Sequence, residues 1–227
     1  MKYEIIGGNM TAAICKLSKG QAVVCESGAM SWMDAGIEMK TESGGGIGKI
    51  FGRAISGETL FRNRYVANED GEIAFASSFP GEICAVEITP GSSVIAQKNS
   101  FLASDESVEM SIFFQKKISG GLFGGEGFIM QKFSGSGTVL LEIDGSAKEY
   151  VLAPGEKKII DSGYLVMMDE TCSLEIQTVK GVKNMLFGGE GLFNTVVTGP
   201  GRIILQTMPI SKTAEVLYQV MPKPSNN

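Results

Sequence analysis

Two acidic positions recur along this chain and would do chemistry if the fold brought their carboxylates together. Three carboxylates that meet at one point repel one another unless a hard cation such as Ca²⁺ lies among them. The alternative is structural, because an aspartate in a turn accepts backbone N–H bonds and a surface glutamate is solvated or paired with lysine. We favour the structural interpretation and predict no metal site. The candidate positions are the turn aspartates Asp34, Asp105 and Asp169 and the glutamates Glu58, Glu126 and Glu190.

The chain has no histidine, which removes the usual general base and the commonest metal ligand. Nucleophilic triads that need histidine are excluded with it. Two carboxylates flanking one bond, as in glycosidases, would still be a route to catalysis, but nothing in the sequence places two acids in one cleft. We therefore predict no catalytic residue, no cofactor and no enzymatic activity.

The cysteines are far apart in sequence and form no Cys-x-x-Cys pair: they are Cys15, Cys25, Cys84 and Cys172. This spacing favours neither a zinc site nor a disulfide framework. We interpret the four as small, buried, apolar residues of a reducing compartment.

A six-residue motif, Leu-Phe-Gly-Gly-Glu-Gly, occurs twice, at positions 122–127 and 186–191. Its glycines allow close backbone approach, and its Leu-Phe pair supplies apolar surface, so we predict a packing or interface loop. A phosphate cradle is the alternative, but the motif carries a glutamate and no fixed cation, which disfavours an anion. The predicted interface residues are Leu122, Phe123, Gly124, Gly125, Gly127, Leu186, Phe187, Gly188, Gly189 and Gly191.

The same separation of 64 positions aligns turn residues outside the motif, such as Pro90-Gly91 with Pro154-Gly155. A more diverged third copy lies upstream, where Gly20 corresponds to Gly91 and Asp34 to Asp105. We predict three repeats, at about 10–76, 82–142 and 147–206, with two copies as the alternative. They would form one β domain over 1–210, because each unit alone buries little core. Residues 211–227 would be a C-terminal extension with a disordered tail.

Short apolar or alternating runs between glycine and proline turns predict an all-β fold. Residues 3–6 and 11–17 read as two strands joined by a tight turn. Asn68-Glu69-Asp70-Gly71 reads as a hairpin turn between strands, residues 32–36 as a turn, and residues 101–104 as a lead into a turn. Residues 213–220 would form one short strand or helix.

Charge and hydropathy limit the partners. The net charge of −5 makes nucleic acid an unlikely partner, and the short clusters Lys116-Lys117 and Arg62 with Arg64 read as strand faces. The sequence contains no run of about 18 apolar residues, so no transmembrane segment is predicted. No signal peptide is seen at the N-terminus, so the expected location is cytoplasmic.

The chain resembles the family named for altered inheritance of mitochondria. The repeated Leu-Phe-Gly-Gly-Glu-Gly motif, the Pro-Gly turns, and Gly199-Pro200-Gly201 ahead of an apolar strand carry the resemblance, which covers about 1–210. It implies a fold like that of the tryptophan RNA-binding attenuator protein: three short double-stranded β-helix or sandwich units per chain, arranged with pseudo-threefold symmetry. It also implies a homo-oligomer, with a trimer favoured. Mitochondrial members are linked to the organisation of inner-membrane complexes.

Two functions follow as hypotheses. The first is a non-enzymatic, self-associating β scaffold that binds a protein partner or organises a complex. The second is a small-ligand or RNA-binding module resembling the attenuator protein, although no basic motif recurs in the three copies. Fold analogy alone does not decide between them.

Overall fold

The computed structural model describes residues 1–40, 62–116, 127–178 and 193–221. Strands dominate these ranges, which confirms the prediction of an all-β fold. The first strands are β1 (Lys2–Ile6), β2 (Ala12–Leu17), β3 (Ala22–Glu26), β4 (Met30–Met33), β5 (Ile37–Lys40), β6 (Arg62–Ala67) and β7 (Gly71–Ala76). The next are β8 (Gly81–Ile88), β9 (Val94–Gln97), β10 (Phe101–Asp105), β11 (Val108–Lys116), β12 (Phe128–Gly135) and β13 (Gly137–Asp144). The last are β14 (Ala147–Leu152), β15 (Lys157–Asp161), β16 (Leu165–Asp169), β17 (Ser173–Thr178), β18 (Phe193–Thr198) and β19 (Gly201–Gln206).

The helical elements are few within the described ranges. Short 3-10 turns lie at Lys98–Ser100 and Ser162–Tyr164, and one α-helix, α1 (Ile210–Val220), follows the last strand. The prediction of a short strand or helix near the C-terminus is therefore resolved as a helix. None of the helices in the described ranges has the length and apolar character that a membrane crossing requires. The predicted disordered tail, 222–227, lies outside the described residues.

The chain divides into two compact units, and the first comprises Met1–Phe114 with Ile129–Ile143. Its strands form a four-stranded sheet in the order β1-β2-β7-β4 and a six-stranded sheet in the order β5-β6-β3-β10-β13-β8. Strand β12 pairs with β9. The buried core of this unit includes Tyr65, Ile73, Phe75, Leu102 and Leu140.

The second unit comprises Gln115–Phe128 with Asp144–Asn227. In it β19 lies between β14 and β16, and β18 lies between β15 and β17, with every pair antiparallel. Met167 and Met168 are fully buried here, as expected for methionines that fill a core. The single domain over 1–210 stays a prediction.

One pairing scheme occurs in three consecutive groups of six strands, β2–β7, β8–β13 and β14–β19. In each group the first and third strands flank the sixth, and the second and fourth strands flank the fifth. The same irregularity interrupts the third strand of each group: between Met30 and Trp32 in β4, between Phe101 and Ala103 in β10, and between Leu165 and Met167 in β16. A β-bulge is a specific local feature of strand pairing and not a random defect. Because it occurs at the equivalent position in each group, the groups share pairing register as well as strand order.

Two local predictions are wrong. Residues 32–36 were expected as a turn, but Trp32 and Met33 belong to β4 and the turn begins after them; residues 101–104 lie in β10, which leads into the turn at 106–107 as expected. These strands are short and lack alternation, and β10 is buried on both faces, so their signal was a brief apolar run. The predicted hairpin at 68–71 also fails, because β6 and β7 belong to different sheets. By contrast, the hairpin of β1 and β2 is confirmed.

Candidate functional site

The three turn aspartates occupy equivalent positions, each at or just beyond the end of the third strand of its group. Asp34 Oδ2 accepts the backbone N–H of Glu72 at 2.8 Å. Asp105 Oδ2 accepts that of Thr138 at 2.8 Å, and Asp169 Oδ2 accepts that of Arg202 at 2.8 Å. Each carboxylate thereby ties the third strand to the start of the sixth, which is the structural role that aspartate commonly plays in turns.

The aspartates are held in different charge environments. The N-terminal ammonium of Met1 donates to Asp105 Oδ1 at 2.5 Å, and Arg202 Nε lies 3.6 Å from Asp169 Oδ1. Within the described ranges, no three acidic or cysteine side chains lie close enough together to hold a metal ion. The candidate cation positions Asp34, Asp105 and Asp169 are therefore separate hydrogen-bond acceptors in this structure, and Glu58, Glu126 and Glu190 lie outside the described residues.

A glycine immediately before each N–H donor makes room for the aspartate. A Cβ atom added to Gly137 would lie 2.7 Å from Asp105 Cβ, and one added to Gly71 would lie 3.1 Å from Asp34 Oδ2. Gly201, the third member, has a φ of +147° and faces Asp169 Cβ at 3.3 Å. At all three positions, the absence of a side chain on glycine lets the sixth strand approach the aspartate carboxylate closely.

The predicted interface loop is only partly described. Leu122, Phe123, Gly124 and Gly125, together with Leu186, Phe187, Gly188, Gly189 and Gly191, lie outside the described residues. Gly127 is buried with a φ of +86°, a conformation that favours glycine. Phe128, which follows it, is fully buried. For Gly127 the structure is consistent with packing; the role of the other motif residues stays a prediction.

Burial controls the chemistry of the cysteines. Cys15, Cys25 and Cys172 are buried free thiols, as predicted, whereas Cys84 is partly exposed. Burial raises the pKa of the Cys15 and Cys25 thiols to about 12, which suppresses the thiolate form that reacts. Neither cysteine is poised as a nucleophile.

A small pocket lies beside Asp105 in the first unit, with a volume of about 340 Å³. Its lining includes Met1, Gln21, Glu106 and Ser107. The Asp105 carboxylate at its wall is already bonded to Met1 and Thr138. The pocket therefore offers mixed polar and apolar walls, with one carboxylate that is largely satisfied by the protein itself.

The C-terminal helix α1 presents apolar side chains to solvent. The exposed fractions are 59% for Val216, 54% for Leu217, 75% for Tyr218 and 74% for Val220. Single exposed apolar residues are ordinary, but Val216, Leu217 and Val220 share one side of the helix at about 100° per residue and form a patch of the kind found at interaction sites. Sequence reasoning missed this surface, because whether residues 213–220 were strand or helix was left open.

A basic and aromatic cluster on β14 and β15 was also missed. Lys158 Nζ lies 4.0 Å from the centroid of the Tyr150 ring, and Lys148 Nζ lies 5.5 Å from it. These are cation–π distances. The signal was present as Lys-Glu-Tyr and Glu-Lys-Lys in the sequence, but only the folded structure brings these two strands, which belong to different sheets, close together.

Comparison with known proteins places the chain in a family. A sequence profile described as Mitochondrial biogenesis AIM24 matches residues 3–208. An uncharacterised protein of Streptococcus pyogenes serotype M6 is 30% identical over 219 residues, which cover 92% of this chain and 86% of that protein. A crystal structure of a Streptococcus pyogenes protein superposes with a TM-score of 0.82 at 26% identity, covering 97% of this chain and 99% of the other. The chain belongs to the Mitochondrial biogenesis AIM24 family.

Proposed function

We propose that the protein is a non-enzymatic, self-associating β scaffold that binds a protein partner or organises a complex. The observation that carries the proposal is the apolar surface of α1, where Val216, Leu217 and Val220 lie on one side and are each more than half exposed. Exposed apolar patches of this kind are typical of protein–protein contacts. The expected assembly is a trimer of chains, each built from three copies of one double-stranded β-helix unit.

The helix is fixed to the second unit at its start, which suits a presented binding surface. Asp144 Oδ2 accepts the backbone N–H of Ile210 at 2.7 Å, where the helix macrodipole also favours negative charge. Lys212 Nζ lies 3.6 Å from Asp161 Oδ2 and 3.5 Å from Glu215 Oε2. The first turn is thereby anchored, and the exposed residues belong to the following two turns.

The family supports a scaffold role over catalysis. Its description refers to mitochondrial biogenesis, and its mitochondrial members are linked to the organisation of inner-membrane complexes, which is an assembly function. This chain would apply the same architecture to partners of its own, and cytoplasm is the location we propose for it.

Affinity capture from native lysate tests the partner-binding part. The bait is the full chain, and the comparison is a Leu217→Lys, Val220→Lys double variant that keeps the helix but breaks its apolar surface. The control is Val151→Lys, at a 74% exposed residue of β14. We expect a defined set of proteins to co-purify with wild type and the control and to be lost with the double variant. Equal recovery with all three baits would contradict the proposal for α1.

The second candidate function is a small-ligand or RNA-binding module, which the cluster of Tyr150, Lys148 and Lys158 favours. An exposed aromatic ring beside two lysines offers a stacking surface and positive charge for single-stranded nucleic acid. A salt-sensitive gel shift with RNA, lost in Tyr150→Ala and kept in Lys2→Ala on β1, would support it. No shift with a broad RNA panel, and no ligand-dependent rise in melting temperature, would count against it.

A further inference from the structure

Two consecutive strand groups are joined edge to edge inside the first unit. Strand β3, the second strand of its group, pairs antiparallel with β10, the third strand of the next group. The register places Cys25 opposite Ala103, Val24 opposite Ser104 and Val23 opposite Asp105. Second-to-third pairing is therefore the way in which this fold extends one sheet into the next.

The strands equivalent to these two at the ends of the series have open edges. Strand β4, the third of the first group, ends the sheet ordered β1-β2-β7-β4, and β15, the second of the last group, ends the sheet ordered β15-β18-β17. Within the described ranges neither has a neighbour on its outer side. An open strand edge presents unpaired N–H and C=O groups and is a template for another chain.

The exposure of side chains agrees with a missing neighbour. Trp32 on β4 is 50% exposed, whereas its equivalents in the other groups, Ala103 and Met167, are fully buried. Ile159 on β15 is 67% exposed, whereas its equivalent in the second group, Ile95, is fully buried. The first-group equivalent of Ile159, Val24, is partly buried, so the residues at both open edges are more exposed than their counterparts inside the sheets.

We propose that β15 of one chain pairs antiparallel with β4 of a second copy, in the register of β3 with β10. This rests on the self-association proposed above and names the surfaces that carry it. Transferring the register puts Trp32 opposite Ile160 and Met33 opposite Ile159. It also puts Asp34 opposite Lys158.

The transferred register is chemically complementary. Opposite charges directly across a pair of strands stabilise the pairing, and here an aspartate meets a lysine where the internal junction has Asp105 facing Val23. Asp34 Oδ2 is committed to the N–H of Glu72, so Lys158 would approach from the other side of the carboxylate. Because side chains alternate between the two faces of a strand, Met33 and Ile159 would pack together on one face, and Trp32 would pack beside Ile160 on the face that carries the charged pair.

A second copy fits these edges because each chain carries both halves of the junction. The contact is heterologous, with β15 of one chain on β4 of the next, and such head-to-tail contacts give rings if the rotation closes and open chains if it does not. An unrelated partner would have to reproduce both the bulged β4 register and the charge order. The identical chain supplies them already.

Mixing two edge variants tests the proposal by multi-angle light scattering. Ile159→Lys breaks the β15 edge but leaves β4 intact, and Trp32→Lys does the reverse; both residues are substantially exposed, so the folded chain tolerates the charge. We expect each variant alone to have the mass of one 24.1 kDa chain, and an equimolar mixture to have the mass of two. Val151→Lys should assemble like wild type.

The outcomes separate this inference from the proposed function. If wild type associates and the two variants associate equally well, the edge pairing is wrong while a self-associating scaffold stands. If each variant is a single chain and the equimolar mixture also has the mass of one chain, the pairing of β15 with β4 is wrong. If wild type itself is a single chain at micromolar concentration, both proposals fall.

Discussion

Asp169 and Arg202 are joined twice: the Asp169 carboxylate accepts the Arg202 backbone N–H at 2.8 Å and lies 3.6 Å from its Nε. The same backbone bond recurs at Asp34 with Glu72 and at Asp105 with Thr138. This relationship explains the recurrence of the acidic position in physical terms. The aspartate ties the end of the third strand to the start of the sixth strand, which lies beside it in the same sheet.

Replacing Asp169 with alanine should destabilise the protein by about 1–3 kcal/mol, because the Arg202 N–H loses its acceptor in a partly buried place. Asp169→Asn should cost less, since an amide oxygen still accepts. Urea unfolding at neutral pH measures both. Glu149→Ala is the control, because Glu149 also faces Arg202, at 3.7 Å on the surface, and exposed pairs are worth about 0–1 kcal/mol. Equal losses for Asp169→Ala and Glu149→Ala would contradict the structural role.

Gly137 should tolerate alanine much less well than Gly91 does. Gly137 has a φ of +133° and no room for a Cβ, which would lie 2.7 Å from Asp105 Cβ; Gly91 has a φ of +85° but open space around it. Gly91→Ala should therefore cost only the backbone penalty of about 1–2 kcal/mol, and Gly137→Ala that penalty plus the clash. Thermal unfolding of the two variants checks which loses more stability. A lower melting temperature for Gly91→Ala than for Gly137→Ala would contradict the prediction.

The start of α1 should carry a pH-dependent contribution to stability. Burial raises the pKa of Asp144, against the opposing effect of the hydrogen bond from Ile210. A carboxyl group whose folded pKa is raised contributes stability below its unfolded pKa and loses it as pH rises through the folded pKa. Asparagine keeps an acceptor but cannot ionise. Asp144→Asn should therefore gain in stability relative to wild type as the pH rises from about 3 through the ordinary and then the raised pKa of the Asp144 carboxyl.

Denaturant midpoints measured across that range check the prediction. Asp161→Asn serves as a comparison, because Asp161 also contacts α1, through Lys212 at 3.6 Å. A difference between wild type and Asp144→Asn that does not change with pH would contradict the assignment to burial.

Cys15 and Cys25 should not react with a thiol reagent in the native protein at about pH 8, because a pKa of about 12 leaves about one thiolate in ten thousand. In denaturant all four cysteines should react. Counting modified thiols by intact mass, with Cys84→Ser as the control for the partly exposed site, checks this. Rapid native modification of Cys15 or Cys25 would mean that their strands open readily.

Particular residues show how far the sequence leads. Gly20, Gly91 and Gly155 were aligned as turn glycines, and all three have positive φ, at +85°, +85° and +77°. Local turn chemistry is readable because glycine at such positions is a requirement of one backbone conformation. The equivalence of Asp34, Asp105 and Asp169 was predicted from the separations of 71 and 64 positions between the copies.

What the sequence did not show depends on pairing between distant strands. The sequence around Trp32 and Phe101 shows no alternation of apolar and polar residues that would mark β4 and β10 as strands. These segments are strands because they pair with distant residues, such as Ala74 and Leu141. The same holds for the open edges, since an edge is defined by which strand is missing beside it. The Tyr150 cluster likewise depends on the packing of β14 near β15, which belong to different sheets.

Cross-linking between two chains tests the central claim, that β15 of one copy pairs with β4 of another, most directly. One chain carries Met33→Cys, a second and differently tagged chain carries Ile159→Cys, and both have Cys84→Ser. The two substituted positions lie opposite each other in the proposed register, within the Cα separation of about 4.4–6.8 Å that a disulfide requires. On mild oxidation we predict a disulfide dimer that contains both tags and forms only when the chains are mixed. Failure to form it, under conditions in which wild type is assembled, would contradict the account.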